Sequence, residues 1–267
     1  MGKIFGTDGV RDRAGEGLLA PDRVAALAAA TGTLLRRDPG IFAVPLPEAF
    51  RALAAPGPDR FGAGKVLVGR DTRASGPVLE EALAEGFRAA GVDVLRAGVL
   101  PTPGVACLTR LWGCALGAVI SASHNPAQDN GIKFISPQGF KIPDAAEAAI
   151  ETLLEGNPAF RPPAPPRPGT AEDVSARTDD YPEFLSRFLP RTLRGVTIAV
   201  DCAHGAASAF ARPLFERLGA RVVLSGAQPD GLNINAGVGA LHPERVADLV
   251  RRERADLGVA FDGDADR

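Results

Sequence analysis

Cysteine and histidine are scarce in this chain of 267 residues, and their scarcity removes several chemistries at once. Cys107, Cys114 and Cys202 are an odd number with neither zinc nor redox spacing, so they read as reduced packing residues in a cytosolic protein. The three histidines, His124, His204 and His242, are too few and too scattered for a histidine-based metal site. No apolar run is long enough to span a bilayer and no signal peptide is present, so a cytoplasmic location is expected. The formal net charge is only −2, which gives no electrostatic reason to expect nucleic acid or an anionic membrane as partner. With 45% hydrophobic and 23% charged residues, the composition is that of an ordinary soluble globular protein.

One stretch breaks that ordinary pattern. The apolar run Ala115–Ile120 is short and β-branched enough for a buried strand, and Ser121–Phe134, SASHNPAQDNGIKF, follows it at once. A hydroxyl (Ser123), an imidazole (His124), amides and a lysine (Lys133) come in quick succession. Open α/β sheets carry their chemistry on loops leaving the carboxyl ends of buried strands. Asn, Pro and Gly suit a loop of fixed, non-repeating path. A loop that merely turns the chain is the plainer reading of this segment alone.

The C-terminal stretch repeats the arrangement. Asp256–Phe261 is an apolar strand that ends in Asp262-Gly263-Asp264-Ala265-Asp266-Arg267. Carboxylates at alternate positions repel one another, and the small spacers let the backbone curl so that all three converge. A hard divalent cation such as Mg²⁺ with oxygen ligands explains that convergence better than a solvated acidic turn does. A calcium EF-hand is excluded, because its twelve-residue loop with closing Glu and flanking helices is absent. A hydrolytic Ser/His/Asp triad is not evident either.

Along the chain, Pro21 opens a helical pattern through Leu35, and residues 38–64 are an irregular Pro/Gly/Ala-rich insertion. Strands over 65–69, 92–95 and 115–120 alternate with helices that begin at Ser75 and Thr102. This βαβαβ series predicts a mainly parallel sheet covered on both faces. Residues 144–155 read as helix, 156–169 as an exposed Pro-rich loop, and 180–189 as a connecting helix. A second unit follows, with strands 196–200, 221–224 and 256–261, a helix over 206–218 closed by Gly219, and a helix over 243–254. The expected fold class is therefore α/β: two consecutive three-layer α/β domains with mainly parallel sheets, at residues 1–168 and 169–267. His204 is a loop residue that is either solvated or lines the site. His242 reads as helix-entry chemistry, and Trp112 as core.

Taken together, SASHNPAQDNGIKF and DGDADR resemble the phosphoserine and metal loops of the α-D-phosphohexomutases. Lys3-Ile4-Phe5-Gly6-Thr7-Asp8-Gly9-Val10-Arg11 is similar to the opening of that family's bacterial phosphoglucosamine mutase branch. One departure stands out: the branch usually has glycine after this arginine, and here the residue is Asp12. The resemblance implies a phosphoserine at Ser123 and Mg²⁺ held by Ser123, Asp262, Asp264 and Asp266. It further implies Arg11 and Arg267 as cations screening the phosphoryl oxygens, and His124 as a supporting donor. Lys133 would move or stabilise the proton of the sugar hydroxyl, with a pKa lowered by a nearby cation cluster. The implied reaction interconverts glucosamine 6-phosphate and glucosamine 1-phosphate through a 1,6-bisphosphate, with a homodimer as a possible assembly. Two alternatives are a phosphoglucomutase or phosphomannomutase, and a sugar-phosphate-binding fragment without turnover. Family members continue with a sugar-recognition domain and a C-terminal phosphate-binding domain, neither of which lies within these residues.

Overall fold

A computed structural model describes residues 3–46, 48, 61–157, 159–188 and 192–267. The first unit is built on a six-stranded sheet in the order β1-β5-β4-β2-β3-β6. Its strands are β1 (Val10–Arg13), β2 (Val66–Arg70), β3 (Val94–Val99), β4 (Leu116–Ile120), β5 (Asp129–Ile135) and β6 (Ala171–Asp173). β6, β3, β2 and β4 are mutually parallel, whereas β5 runs antiparallel to β4, and β1 antiparallel to β5.

Alternation along β2 explains the layers. Val66 and Val68 enter one buried cluster and Leu67 enters another. The first cluster packs α1 (Pro21–Arg37), α2 (Gly76–Ala89) and α4 (Asp144–Leu154) on one face, through Leu27, Leu83, Phe87 and Ile150. The second packs α3 (Thr102–Leu111) and Trp112 with Tyr181 of α5 (Asp180–Ser186) on the other. Trp112 is core, as expected, and its indole Nε1 donates to Asp180 Oδ2 at 2.8 Å. Burying such a body with its N–H satisfied contributes about 1.5–3 kcal/mol.

The second unit is a three-stranded parallel sheet, β8-β7-β9, of β7 (Thr197–Asp201), β8 (Arg221–Ser225) and β9 (Leu257–Ala260). α6 (Ala211–Arg217) and α7 (Pro243–Glu253) contribute to separate apolar clusters, through Ala211 and Phe215 and through Val246 and Leu249. No helix among the described residues is long and apolar enough to cross a membrane.

Four expectations change in detail. The polar stretch after β4 is a short turn and not a long loop: the chain returns at Asp129 as β5, so Lys133 is a strand residue opposite Val119. The helix expected over 206–218 is split into a 3₁₀ turn, Ala206–Ala209, and α6. Pro213 supplies the reason, since it has no N–H for residue 209; restarting the helix at Ala211 leaves proline in the first turn, where that donor is not needed. Ser75 stands at the helix entry, but its hydroxyl pairs with the Asn130 amide and caps no backbone N–H. The expected division after residue 168 falls just before β6, which adds to the first sheet beside β3, and Val174 and Tyr181 also join the first unit's core. Of the insertion at 38–64, Pro39–Phe42 forms a 3₁₀ turn with Phe42 buried, while residues 47 and 49–60 lie outside the described residues.

Candidate active site

The carboxyl ends of β4 and β9 meet. β4 delivers Ser121 and Ser123, and β9 delivers the three aspartates. Ser123 has a left-handed backbone, φ +54, which is unusual for a residue with a Cβ. Its N–H donates to Ser121 Oγ at 2.9 Å, and that hydroxyl donates to Asp71 Oδ2 at 2.7 Å. The turn thus directs the Ser123 hydroxyl across to the second unit, where it donates to Asp262 Oδ2 at 2.6 Å. His124 Nδ1 stands 3.4 Å from the same hydroxyl, at the outer limit of a hydrogen bond.

Asp262, Asp264 and Asp266 each present an oxygen within 4.8 Å of the others. Asp262 and Asp264 are each only 1% exposed, so their mutual repulsion is little screened by water. Burial pushes Asp264 up to about 6; repulsion from Asp262 and Asp266 adds to this, while the Thr102 hydroxyl and Lys133 oppose it. Thr102 Oγ1 donates to Asp264 Oδ2 at 2.6 Å, but Asp264 Oδ1 is buried with no hydrogen-bond partner among the described residues. Converging anionic oxygens, one of them orphaned, fit a hard divalent cation.

Lys133 enters from β5. Its Nζ lies 2.9 Å from Asp8 Oδ2, 3.3 Å from Asp266 Oδ2 and 4.0 Å from Asp264 Oδ2. Here the sequence-based expectation is corrected. Burial pulls the Lys133 pKa down, but the Asp8 hydrogen bond and the charges of Asp264, Asp8 and Asp266 outweigh it, so the ammonium is held above its usual value. The neighbours of Lys133 are carboxylates, not the cation cluster that a lowered value requires.

Arg11 is brought to the site by β1, whose register sets it opposite Gly131. It donates to Asp8 Oδ2 at 3.2 Å and shares an open cleft of about 500 Å³ with Arg267 and Lys3. Arg267 is half-exposed, 3.6 Å from Asp266. Asp12 leaves β1 in regular register and accepts the N–H groups of Arg13 and Leu18, fastening the turn that follows. His204 turns aside: its Nδ1 accepts from Gln228 N–H at 3.2 Å, and its carbonyl accepts the Thr72 hydroxyl. His242 precedes α7 without capping it and pairs with Glu244.

Sequence reasoning passed over Asp8, Thr102, Asp71, Arg73 and Asn235. Arg73 is fully buried, donates to Asp71 Oδ2 at 2.9 Å, and spends its remaining N–H groups on the carbonyls of Ser123, Asn125, Pro126 and Asp129. The two loops also touch closely at Gly263. A Cβ there would lie 2.7 Å from the Ser123 carbonyl oxygen and 2.8 Å from Asn235 Nδ2. Gly263→Ala is accordingly expected to destabilise the chain by about 1–3 kcal/mol in urea unfolding, because the neighbours include backbone that cannot rotate away. A neutral result would mean that the loops separate without cost.

The family model of phosphoglucomutase/phosphomannomutase alpha/beta/alpha domain I matches residues 49–159, and that of domain II matches residues 179–267. The phosphoglucosamine mutase of Cupriavidus taiwanensis is 48% identical over 269 aligned residues, which take in 99% of this chain and 55% of that protein. That of Delftia acidovorans is 48% identical over 265, covering 98% and 54%. A solved phosphoglucomutase/phosphomannomutase family protein from Burkholderia thailandensis superposes with a TM-score of 0.74 at 28% identity, over 98% of this chain and 53% of that one. The chain thus spans about half the length of the curated relatives it matches. Both domain matches occur in order and together take in most of the residues, including the Ser123 turn and the aspartate loop, so the chain belongs to the phosphoglucomutase/phosphomannomutase family.

Proposed function

We propose that this chain carries the phosphoryl-transfer centre of a phosphoglucosamine mutase, interconverting glucosamine 6-phosphate and glucosamine 1-phosphate through a phosphoserine and a 1,6-bisphosphate. The observation that carries the reading is the Ser123 hydroxyl 2.6 Å from Asp262, inside a cluster of three carboxylates. The similarity to phosphoglucosamine mutases at 48% identity supports the amino-sugar substrate over glucose or mannose phosphates.

Phosphoryl transfer asks a protein mainly for positioning and for compensation of charge. Phosphorylated Ser123 would bring roughly −1.5 to −2 charge to a cluster that is already anionic. Asp262, Asp264 and Asp266, with the phosphoserine, would hold Mg²⁺, which when bound neutralises a phosphoryl oxygen and fixes the group for in-line attack. Arg11 and Arg267 face the cleft and screen the remaining oxygens. Lys133 reaches the carboxylates as a protonated donor, which suits stabilising the oxygen of the attacking sugar hydroxyl and not removing its proton. His124 supports the serine from the side. The cytoplasm, where hexosamine phosphates are made and used, is the fitting location.

The test is metal-dependent phosphorylation. Incubated with a hexose 1,6-bisphosphate and Mg²⁺, the chain should gain one phosphoryl group by intact mass, and EDTA should prevent it. Calorimetric titration should show Mg²⁺ affinity falling at least about tenfold in Asp264→Asn, since one of three anionic ligands to a hard cation is lost. Equal affinity in the two proteins would reduce the loop to a solvated acidic turn.

A further inference from the structure

We infer that Asn235 is a positioning residue for Ser123, by which the second unit sets the direction of the nucleophile carried by the first. The Asn235 amide Nδ2 donates to the carbonyl of Ser123 at 2.9 Å and to the carbonyl of Asn125 at 3.0 Å. Those are two of the four carbonyls that Arg73 also holds, at 3.0 and 2.8 Å. The turn bearing Ser123 is therefore gripped twice, by a guanidinium from beneath within its own unit and by an amide from across the unit boundary. Fixing the Ser123 carbonyl fixes ψ of that residue and φ of the next. With the N–H tied to Ser121, this keeps Ser123 in its left-handed conformation and its hydroxyl on Asp262.

Asn235 is itself held for this task. It is left-handed, φ +59, a conformation that asparagine tolerates better than most residues, and its N–H donates to the Ala203 carbonyl. It follows Asp230-Gly231-Leu232-Asn233-Ile234, a turn whose own carboxylate accepts the N–H groups of Leu232 and Asn233, while the Gly231 carbonyl accepts Ala74 N–H from the first unit. Ile234 is buried, so the residue before the amide is anchored. Because Arg73 remains when Asn235 is altered, the turn should keep its path and lose only its exact aim.

The inference rests on Ser123 as the reacting hydroxyl, and a metal-free test separates the two. In a Ser123→Cys background, the introduced thiol is alkylated with iodoacetamide and each thiol is followed by peptide mapping. Cys107, Cys114 and Cys202 serve as internal references, since burial pushes each thiol up to about 12 and keeps it inert. Adding Asn235→Gly, which keeps the left-handed backbone but removes the amide, should speed alkylation of the introduced thiol roughly tenfold, with the reference thiols unchanged. Asn235→Asp, which sets an acceptor against two carbonyls, should act in the same direction. An unchanged rate in either variant, or acceleration of all four thiols together, overturns the inference. With Ser123 intact, both variants should also take up a phosphoryl group from a hexose 1,6-bisphosphate roughly tenfold more slowly, the cost of a misaimed acceptor. No uptake by the unsubstituted chain would overturn the phosphoserine reading and leave the thiol result to decide on Asn235.

Discussion

Ser123→Ala is expected to abolish phosphorylation of the chain altogether, not merely to slow it. Among the described residues, two hydroxyls touch the aspartate cluster, Ser123 on Asp262 and Thr102 on Asp264, each at 2.6 Å. They are not equivalent. Thr102 stands at the first position of α3, and its backbone N–H also donates to the Asp264 carbonyl, so its side chain is committed to holding the metal loop in place. Ser123 sits on a turn gripped through its carbonyl and its N–H, so its hydroxyl on Asp262 has no part in holding that turn. Geometric placement of a reacting group is worth about 7–11 kcal/mol in favourable cases, and no second hydroxyl in this cluster is placed to inherit it. The fold should survive, because alanine meets the same left-handed backbone as serine and the loss is one hydrogen bond to a buried carboxylate, about 1–3 kcal/mol. Intact-mass analysis after incubation with a hexose 1,6-bisphosphate and Mg²⁺ reads the result directly. A phosphoryl group retained by Ser123→Ala and lost on adding Thr102→Val would transfer the role to Thr102.

Much of this site could be read from the residues in order, and the remainder shows what a linear reading misses. Ala115–Ile120 is legible as a buried strand because it is short, apolar and bounded by a sharp polarity change. The three aspartates are legible because like charges gather only for a reason. Both signals are local. Lys133 reads as a loop residue because Gly131 and the polar residues before it dominate, yet Ile132 and Phe134 flank it at strand spacing and are both buried. That alternation was the available signal for β5. The surroundings of Lys133 were not available, because Asp8 and Asp266 come from the two ends of the chain. Arg73 is 50 residues from Ser123 in sequence, and Asn235 is 112. Nothing in the composition of either neighbourhood says that their donors meet on the same two carbonyls. Backbone carbonyls are present at every residue, so a side chain that recognises them leaves no partner to find in the sequence.

Arg73 carries the largest expected effect on stability. Every one of its five N–H groups has a partner: one on Asp71 and four on the carbonyls of Ser123, Asn125, Pro126 and Asp129. The side chain is 0% exposed, and so is that of Asp71. Arg73→Met keeps much of the volume and removes all five donors. Asp71 then becomes a buried charge with only the Ser121 hydroxyl and the backbone N–H of residue 73, which is expected to cost about 3–5 kcal/mol. The carbonyls of Ser123 and Asn125 would still have Asn235, while those of Pro126 and Asp129 would each lose the guanidinium. Against a typical total of about 5–15 kcal/mol, such a loss brings the chain close to unfolding. Arg73→Lys restores the charge but offers three donors from a single nitrogen in place of a planar fork of five, so it should fall between the two. Combining Asp71→Asn with Arg73→Met should recover part of the loss, because the uncompensated charge disappears while the carbonyls still lack the guanidinium. Urea unfolding of the four proteins, followed by circular dichroism, separates these contributions. If Arg73→Met costs less than about 1 kcal/mol, the carbonyls find other donors and the buried guanidinium is not what fixes the turn.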